Sequence, residues 1–571
     1  MMNKEVADIF RQIADILEIK DENFFRVRAY RKAAQNIENL TEDLIVLVKE
    51  KRLDVPGVGV DLAGKIEELV TTGALKFFEE LKKTIPPGLL EIMTIPGIGP
   101  KTTKLLFDKL KIDSVYKLEI AAREDKLSSL PGLKEKTQEN ILQGIELIKQ
   151  RQGRILLSTA LSVAQKILDA LKKLKVVEEA VIAGSVRRRK ETIHDIDILV
   201  TSTKPQMVTG VFTSLPIVKK ILAKGETKSS VIVEGDIQVD LRVVGPESFG
   251  AALNYLTGSK AHNIRIRELA KKRGLKINEY GVFREEANRI VAGKTEHEVY
   301  KTVGLCYIEP ELREDTGEIE AAADNALPQL VVLTDIKSDL HIHSRWSDGT
   351  LSIADMAKAA KAQGYKYMVV SDHSQSLKVA GGLTPKRLKE QIDEIKRLNR
   401  SFKDFRILCS AEVDIKSDGS LDFDDDILKE LDVVLAAVHS GFKQAKEQLT
   451  GRITRAMQNK YINIIVHPFG RLINERPAYE LDFEKILQAA YDTNTALEIN
   501  CYPKRLDLDD IHVKRAKEKG VMLSLGTDSH AQEQLGFMEL GVAVARRGWL
   551  EKKNLLNCLS SDEFLDKIRK K

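Results

Sequence analysis

The chain has 571 residues, enough for three or four domains, and its 43% hydrophobic and 31% charged residues are typical of a soluble globular protein. The longest apolar runs are shorter than 18 residues and the N-terminus is amphipathic and charged, which argues against a membrane span and a signal peptide. The formal net charge is +5, but residues 151–300 hold 26 basic and 17 acidic residues, an excess that suits a polyphosphate or DNA partner.

Residues 1–150 are rich in helix formers and contain a weak internal repeat. Pro-Gly turns at 55–59, 95–99 and 130–134 each precede a segment with helical periodicity. Such glycines allow a hairpin backbone to approach a phosphate, and the following helix presents free N–H groups. The first two copies have both glycines, and the third has Lys134 in place of the second. The glycines of the full copies are Gly57, Gly59, Gly97 and Gly99. The pattern resembles helix-hairpin-helix motifs and predicts DNA binding without sequence readout.

Three aspartates in residues 182–242 are expected to meet. Asp195 and Asp197 are two apart on a predicted strand, so they share one face while apolar residues fill the other. Asp240 alternates with apolar residues in the same way and can join them from a neighbouring strand. At ~4 Å and an effective dielectric near ~20, each pair of charges costs about 4 kcal/mol. The cluster therefore predicts two divalent cations and phosphoryl transfer.

The residues before this cluster are suited to binding phosphate. Gly184 and Ser185 follow an apolar strand over 180–183 and offer backbone N–H groups and a hydroxyl, and residues 187–190 are a basic run. Helical periodicity over 156–174 and further strands complete a mixed α/β domain. These strands are predicted at 196–201, 231–234 and 237–244.

Six of these residues resemble the nucleotidyltransferase site of family X DNA polymerases: Gly184, Ser185, Arg188, Asp195, Asp197 and Asp240. The segments 224–228, 255–259, 263–267 and 274–280 resemble palm and thumb segments of the same family. The resemblance implies that Asp195 and Asp197 bind two Mg²⁺ or Mn²⁺ ions. It also implies that Asp240 binds the ion that activates the primer 3′-hydroxyl.

The resemblance further implies the contacts with the incoming dNTP and the template. Gly184, Ser185 and Arg188 would hold the β- and γ-phosphates, and residues 255–258, with Tyr255 and Gly258, would lie beside the sugar. Asn263 would reach the base, and Arg267 the template strand. His194 stands where family members often carry glycine. It either donates to phosphate or is simply exposed, and the sequence leaves both interpretations open.

In family X enzymes the first hairpin belongs to a domain that holds the 5′ end of a gap, and some members carry a lyase lysine on the next helix. Lys65 falls at that position. A lyase needs the neutral amine to form a Schiff base, whereas the nearby Asp61 favours a charged, phosphate-binding lysine. Both roles stay open, and phosphate binding is favoured. A monovalent cation at the hairpin turns is a further expectation.

Apolar runs alternate with helical segments in residues 335–571. The runs lie at 336–342, 366–371, 406–411, 432–438, 462–466, 496–500 and 521–526. Helices are predicted between them, for example at 352–363, 385–400, 445–459 and 510–519. Such alternation implies parallel strands, and seven repeats indicate a closed barrel.

Histidines and acids follow six of the seven runs, at the carboxyl ends where active sites of parallel barrels lie. These nine residues are His341, His343, Asp348, His373, Glu412, His439, His467, Asp528 and His530. They include six of the chain's ten histidines. Histidine and carboxylate without thiolate suits Mn²⁺, Zn²⁺ or Fe²⁺, so the pattern predicts a metal centre.

This set resembles the polymerase-and-histidinol-phosphatase (PHP) domain, a (β/α)₇ barrel that holds up to three metals. The resemblance implies phosphoesterase activity, namely 3′–5′ exonuclease and, in some members, abasic-site endonuclease activity. Arg471 and Lys504 follow strand runs and are candidates for binding substrate phosphate.

The fold class expected is multidomain α plus α/β, with six segments. These are a helical domain over 1–85, a fingers-like hairpin region over 86–150, a palm over 151–245, a thumb-like domain over 246–315, a linker over 316–334 and the barrel over 335–571. The linker prediction rests on an acidic, alanine-rich stretch over 309–329, bracketed by Pro310 and Pro328.

The leading hypothesis is a monomeric repair polymerase that fills gaps in nicked or gapped DNA from dNTPs, with a separate 3′ nuclease. Two alternatives remain: a template-independent nucleotidyltransferase fused to a PHP phosphatase, and a DNA-binding scaffold with structural metals. The four scattered cysteines indicate a reducing compartment, so a cytoplasmic, nucleoid-associated protein is expected.

Overall fold

A computed structural model describes residues 3–38, 44–50, 52–53, 58–95, 98–134, 137–139, 141–142, 144–145, 154–286 and 289–570. The chain divides into two compact units, Met1–Gln152 and Gly153–Lys571. In the described part of the chain, every helix is too short or too polar to cross a membrane.

The first unit is helical. Its helices span Asn3–Ile19, Phe24–Glu38, Leu44–Lys49, Val60–Thr72, Lys76–Lys82, Gly88–Met93, Pro100–Leu110 and Val115–Arg123. Their apolar faces share one core, to which Phe10, Ile37, Ile66 and Leu106 contribute fully buried side chains. Gly59 and Gly99 immediately precede the helices that follow the two full hairpin copies. Gly57 and Gly97 lie outside the described residues.

The second unit begins with a mixed α/β palm. Its strands are β1 (Ile155–Leu156), β2 (Glu179–Ile182), β3 (Thr192–Ile193), β4 (Asp195–Thr201), β5 (Val218–Lys224), β6 (Lys228–Val233) and β7 (Ile237–Val244). Helices span Leu157–Leu171, Gly184–Arg187 and Pro205–Thr213. The main sheet has the order β2-β4-β7-β6-β5, with β4 and β7 parallel. Ile196, Ile198 and Val239 are buried in the core that also holds Leu157 and Phe212 of two helices, so one face of the sheet is covered.

The thumb follows the palm. It contains helices Phe249–Thr257, Lys260–Lys271, Glu296–Thr302 and Glu318–Ala323, and strands β8 (Leu275–Asn278), β9 (Gly281–Arg284) and β10 (Arg289–Ala292). Ile319 and Ala322 pack into the same core as Ile266, Val299 and Tyr300. The first part of the segment predicted as a linker is therefore helical and packed on the thumb.

The last part of the chain is a parallel barrel. Its strands are β11 (Ser338–Ile342), β12 (Tyr367–Val370), β13 (Arg406–Asp414), β14 (Val433–Ala437), β15 (Ile464–Ile465), β16 (Ala496–Asn500) and β17 (Leu523–Gly526). Helices span Ile353–Ala362, Pro385–Ser401, Asp425–Leu428, Lys446–Met457, Phe483–Asp492, Asp510–Lys519, Met538–Arg547 and Ser561–Ile568. The strands pair in chain order, and a parallel bridge between Ile342 and Ser529 joins the first strand to the segment after the last. The predicted seven-stranded barrel is confirmed.

Ion pairs connect the barrel to the palm and thumb within the second unit. Arg471 contacts Glu191 at 2.6 Å, Arg189 contacts Glu539 at 2.8 Å and Arg546 contacts Glu311 at 2.8 Å. Arg547 contacts Glu314 at 3.0 Å, and its side chain is 4% exposed. The two predicted metal centres therefore belong to domains that are joined by direct side-chain contacts.

Candidate active sites

The register of the palm sheet brings the three aspartates together. Asp197 of β4 is paired with Asp240 of β7, and Asp195 is two residues earlier on the same face. Burial, followed by the charges of Asp195 and Asp240, raises the pKa of Asp197 to about 7. A carboxylate that resists ionisation beside two others is the electrostatic situation that a divalent cation relieves, so the geometry fits the predicted ion site.

The backbone beside this cluster has no room for a side chain. Gly184 has a φ of +62°, and a Cβ atom there would collide with the carboxylate of Asp197. A cleft of about 250 Å³ adjoins the cluster. Its polar lining residues are Asp197, Lys228, Asp240, Arg242, Tyr255 and Glu279. The cleft is thus lined by both carboxylate and cationic side chains.

The basic run 187–190 is engaged in ion pairs. The guanidinium of Arg188 donates to Glu314 at 3.0 Å and to the carbonyl of Thr257 at 2.8 Å. Arg187 donates to both carboxylate oxygens of Glu296 at 2.6 and 2.8 Å. Sequence reasoning identified these cations as phosphate donors, and the structure shows that in this conformation they hold the palm to the thumb.

Ser185 is half-buried on the turn that follows Gly184. The side chain of His194 is 62% exposed, and its Nδ1 lies 4.0 Å from Oδ2 of Asp195. The imidazole is thus at the edge of the carboxylate cluster, where either of the two interpretations of His194 is compatible with the geometry.

The predicted nucleotide-binding residues of the thumb form one connected group. Asn263 donates to the carbonyl of Tyr255 at 2.7 Å, and Arg267 donates to the carbonyl of Asn263 at 3.2 Å. A Cβ atom at Gly258 would collide with the Asn263 amide. Tyr255 is 37% exposed and lines the cleft beside Asp197.

In the first unit, Lys65 lies on the helix Val60–Thr72. Its ammonium pairs with Asp61 and lies 5.8 Å from the ring centre of Tyr30 and 5.2 Å from that of Phe77. Its side chain is 14% exposed. The lysine is therefore held in place by groups that favour a cation.

The structure gathers all nine predicted barrel residues into one cluster, in which most side chains are buried, His439 and His530 are partly buried and Asp348 is exposed. Its ligand atoms form three overlapping groups that suit a metal ion and share His343 and His373. The groups are His343, Asp348, His373 and His530; His341, His343 and Asp528; and His373, Glu412 and His439. His467 contacts Oε1 of Glu412 at 2.8 Å.

The chemistry of this cluster fits bound cations. The Nδ1 atoms of His343 and His467 are buried and make no hydrogen bond to any residue that the structure describes. Nδ1 of His373 lies 2.8 Å from Oε2 of Glu412 without the geometry of a hydrogen bond. Burial and the neighbouring His530 and His373 lower the pKa of His343 to about 4. Burial also lowers the pKa of His373, but the charges of Glu412 and Asp348 outweigh burial and raise this pKa to about 10. Neighbouring histidines whose pKa values shift in opposite directions indicate a crowded cluster of lone pairs and charges. Bound metal ions would coordinate these lone pairs and balance the negative charges.

Sequence reasoning missed the buried acids behind the ligands. Glu498 of β16 accepts from Nδ1 of His341 at 2.7 Å, and Asp414 lies 3.5 Å from Nδ1 of His439. Asp372 accepts hydrogen bonds from Ser344, Ser347 and Gln391. The only sequence signal was an acid inside an apolar strand run, which is unusual unless the acid has a partner.

The two cations predicted to bind substrate have other partners. Arg471 contacts Glu191, and Lys504 contacts Glu475. The residue beside Lys504, Arg505, instead places its Nε 3.4 Å from Oδ2 of Asp528, and its side chain is 18% exposed. Of Arg471, Lys504 and Arg505, only Arg505 contacts a predicted metal ligand in the contacts described above.

Models of known domains match four parts of the chain. Residues 1–75 match a helix-hairpin-helix domain and residues 89–146 match a SAM-like helix-hairpin-helix tandem. Residues 252–314 match the DNA polymerase beta thumb, and residues 339–501 match the PHP domain. The predicted hairpins, thumb and PHP barrel are confirmed.

Three relatives are similar to this chain, one of them over nearly its full length. It is 41% identical over 562 residues to the DNA polymerase/3′-5′ exonuclease PolX of Bacillus subtilis (strain 168), covering 98% of each chain. It is 29% identical over 230 residues to a probable phosphatase of Thermoanaerobacter sp. (strain X514), covering 38% of this chain and 89% of the relative. A probable phosphatase of Shewanella frigidimarina (strain NCIMB 400) is 30% identical over 229 residues, 38% of this chain and 88% of its own. By its domain order and this near full-length similarity, the chain belongs to the family X DNA polymerases that carry a C-terminal PHP domain.

Proposed function

We propose that this chain is a template-directed DNA polymerase that fills gaps in duplex DNA and carries a separate 3′–5′ exonuclease in its PHP barrel. The observation that carries the polymerase assignment is the β4–β7 register, which sets Asp195, Asp197 and Asp240 on one open face beside the thumb. The nine-residue cluster in the barrel of the same chain supports the nuclease assignment.

In the palm, Asp195 and Asp197 would hold two Mg²⁺ or Mn²⁺ ions, and Asp240 would share the one next to the primer 3′-hydroxyl. These ions would supply charge neutralisation for the phosphoryl group in transfer. Gly184 and Ser185 present the backbone and hydroxyl donors for the triphosphate. Burial and the charges of Asp195 and Asp240 raise the pKa of Asp197 to about 7, and bound cations would relieve this repulsion.

Arg188 is the proposed cation for the β- and γ-phosphates. Because its guanidinium is bonded to Glu314 and Thr257, dNTP binding requires it to exchange the Glu314 carboxylate for a phosphate. Tyr255 and Gly258 would lie beside the sugar, and Asn263 beside the base, with Arg267 facing the template. The hydrogen bonds that join these residues support a single preformed wall.

In the barrel, the nine clustered residues would hold up to three ions, for which Mn²⁺, Zn²⁺ and Fe²⁺ are the candidates. When bound, such ions supply Lewis-acid polarisation of a phosphodiester. Arg505, whose Nε lies 3.4 Å from Oδ2 of Asp528, would bind a non-bridging oxygen of the scissile phosphate. The similarity to two probable phosphatases supports hydrolysis as the reaction of this domain.

In the first unit, the helices after Gly59 and Gly99 and the ammonium of Lys65 would bind DNA phosphates. Neither helix has a side-chain cap from any described residue at its N-terminus, so their N–H groups are available to a phosphate or to a monovalent cation bridging to one. The substrate is a gapped or nicked duplex with dNTPs, and the proposed active form is the monomer.

The test is extension and excision on one gapped duplex, with Mg²⁺ and with Mn²⁺. Asp240→Ala should abolish extension and leave excision, and His343→Ala should abolish excision and leave extension. Each variant is the folding control for the other, because each retains one activity. Extension that persists in Asp240→Ala would refute the palm assignment, and unchanged excision in His343→Ala would refute the barrel assignment.

Template dependence separates this proposal from a template-independent transferase. Incorporation should follow the templating base and stop at the gap's end. Equal incorporation of all four dNTPs on a single strand would favour the transferase.

A further inference from the structure

Glu498 lies behind the metal-ligand cluster, on the one barrel strand whose end carries no predicted ligand. Its carboxylate is 1% exposed. Oε1 accepts from Nδ1 of His341 at 2.7 Å, and Oε2 accepts from the backbone N–H of His467 at 2.7 Å. Asn500 donates to the same Oε2 and to Oδ2 of Asp528, both at 3.2 Å. One acid thus connects residues from three other strand ends.

We infer that Glu498 is a positioning residue for one ion, the ion that the group of His341, His343 and Asp528 would hold. It orients His341 directly and Asp528 through Asn500. This inference rests on the proposed metal-dependent barrel. A carboxylate at Nδ1 of His341 requires that nitrogen to carry the proton, so Nε2 keeps its lone pair. That Nε2 lies 3.2 Å from Nε2 of His343 and 3.8 Å from Oδ1 of Asp528.

The effect is expected to be specific to one of the three groups. Among the described residues, the hydrogen bonds of Glu498 reach His341, His467 and, through Asn500, Asp528. The group of His373, Glu412 and His439 has its own buried acid, since Asp414 lies 3.5 Å from Nδ1 of His439. Each group therefore has one acid behind it. Glu498 is hydrogen-bonded to Nδ1 of His341, and Asp414 accepts from the backbone N–H of His439 at 3.2 Å.

Glutamine at position 498 has the right shape but the wrong hydrogen-bonding pattern. The Oε2 position receives two N–H donors, from His467 and Asn500, so a glutamine must place its oxygen there. Its NH₂ group then faces Nδ1 of His341, which must become an acceptor. The proton of His341 moves to Nε2, and the lone pair that would bind the ion is lost.

The experiment compares the full-length wild type with Glu498→Gln and Asp414→Asn after removal of metal by chelation. Mn²⁺ titration calorimetry gives affinity and stoichiometry, and anomalous diffraction at the manganese edge gives position. Glu498→Gln should weaken the ion at His341, His343 and Asp528 by about 10- to 100-fold and spare the other ions. Asp414→Asn should show the reverse pattern, and higher Mn²⁺ should restore the lost ion in each.

Unchanged Mn²⁺ affinity in Glu498→Gln, or equal loss at every position in both variants, would overturn the inference. Primer extension by the palm reports whether Glu498→Gln is folded. If it is not, Asn500→Ala replaces it, and a smaller loss at the same position is expected; wild-type affinity there would also overturn the inference. Ions that bind and respond as described in a barrel that does not hydrolyse DNA would contradict the proposed nuclease while supporting the role of Glu498.

Discussion

The backbone at Gly184 and the carboxylate of Asp197 occupy adjoining space. The φ of +62° at Gly184 is a left-handed conformation that other residues adopt at a cost of ~1–3 kcal/mol. A side chain there would also push the Asp197 carboxylate away from its partners. Glycine at position 184 is therefore explained by two separate constraints, the left-handed backbone and the space that the Asp197 carboxylate occupies.

Gly184→Ala should reduce primer extension by ~100-fold or more, because the displaced carboxylate no longer meets Asp240. Excision by the barrel should be unchanged and serves as the internal control for folding. Gly210→Ala is the matched control, since a Cβ atom there meets nothing within 4 Å. Wild-type extension by Gly184→Ala would show that the carboxylate does not have to stay where the structure places it.

Lys65 is expected to bind a 5′-phosphate without forming a Schiff base. Its ammonium is in contact with Asp61 and near two aromatic rings, all of which favour the cation. Lys65→Ala should weaken binding to a gap with a 5′-phosphate more than to one with a 5′-hydroxyl, by several-fold. Borohydride should trap no adduct with incised abasic DNA in the wild type. Lys76→Ala, on an exposed position of the same unit, is the control, and a trapped adduct that requires Lys65 would establish the lyase instead.

At the scale of elements, the helix Glu296–Thr302 and the turn Gly184–Arg187 are held together by one buried carboxylate. Glu296 accepts from Arg187 and Arg313, and its side chain is 7% exposed. Burial opposes its charge, but the two guanidinium groups lower its pKa to about 2 from 4.5. The carboxylate of Glu296 thus connects the palm to the thumb. Its burial is unfavourable, and its ion pairs with Arg187 and Arg313 compensate for that cost.

Because the folded pKa is below the unfolded value, this pair stabilises the protein above pH 4.5, and the stability is lost as pH falls towards 2. A folded pKa of about 2 against 4.5 for the unfolded chain corresponds to about 3 kcal/mol. Glu296→Gln should lower the free energy of unfolding by that order at pH 7 and by less than half as much at pH 3. Chemical denaturation at both pH values measures this. Glu268→Gln, at an exposed position, is the control, and an equal loss at both pH values would contradict the assignment.

The bond between Arg188 and Glu314 competes with the proposed triphosphate contact. Glu314→Gln should remove the charge that holds Arg188, so the Kd for a dNTP on a dideoxy-terminated primer should fall several-fold. Arg188→Ala should raise it by more than tenfold. An unchanged Kd in Arg188→Ala would exclude Arg188 from phosphate binding.

Sequence predicts the features of this fold that leave a local pattern of apolar and polar residues. The clustering of the nine barrel side chains was predictable because each lies near the carboxyl end of an apolar run or after it. The register that pairs Asp197 with Asp240 agrees with the alternation of both acids with buried residues. The strand β5 was not predicted, since its residues are mostly exposed and lysine-rich and show no apolar period. The three-stranded sheet of the thumb was also missed.

Ion pairs between residues far apart in the chain were also not predictable from the sequence. Nothing local distinguishes Lys504, which contacts Glu475, from Arg505, which lies against Asp528. The ion pairs of Arg188 and Arg189 join residues 126 and 350 positions away. Such pairings depend on the packing of whole domains, which hydrophobic periodicity does not encode.

At the scale of the whole molecule, the barrel is attached to the palm and thumb through Arg547. Its guanidinium donates to the backbone carbonyl of Arg188 at 2.7 Å and to Glu314 at 3.0 Å, and it also contacts Asp510 of the barrel. With a side chain 4% exposed, Arg547 lies at a junction where its removal takes away the ion pair of Asp510 and leaves Glu314 to Arg188 and Lys190. The junction links the turn that precedes the carboxylate cluster to the helix Met538–Arg547.

Arg547→Ala should therefore destabilise this junction by about 3–5 kcal/mol, the range for breaking a buried ion pair. If the junction couples the domains, calorimetry of the metal-loaded protein should show the barrel and the palm–thumb part unfolding separately in the variant and closer together in the wild type. Lys553→Ala, whose side chain is 72% exposed, should leave the profile unchanged. Extension and excision below the first transition should both persist, since neither carboxylate cluster is altered. A variant that unfolds as the wild type does would show that the other ion pairs, such as Arg471–Glu191, suffice to hold the two active domains together.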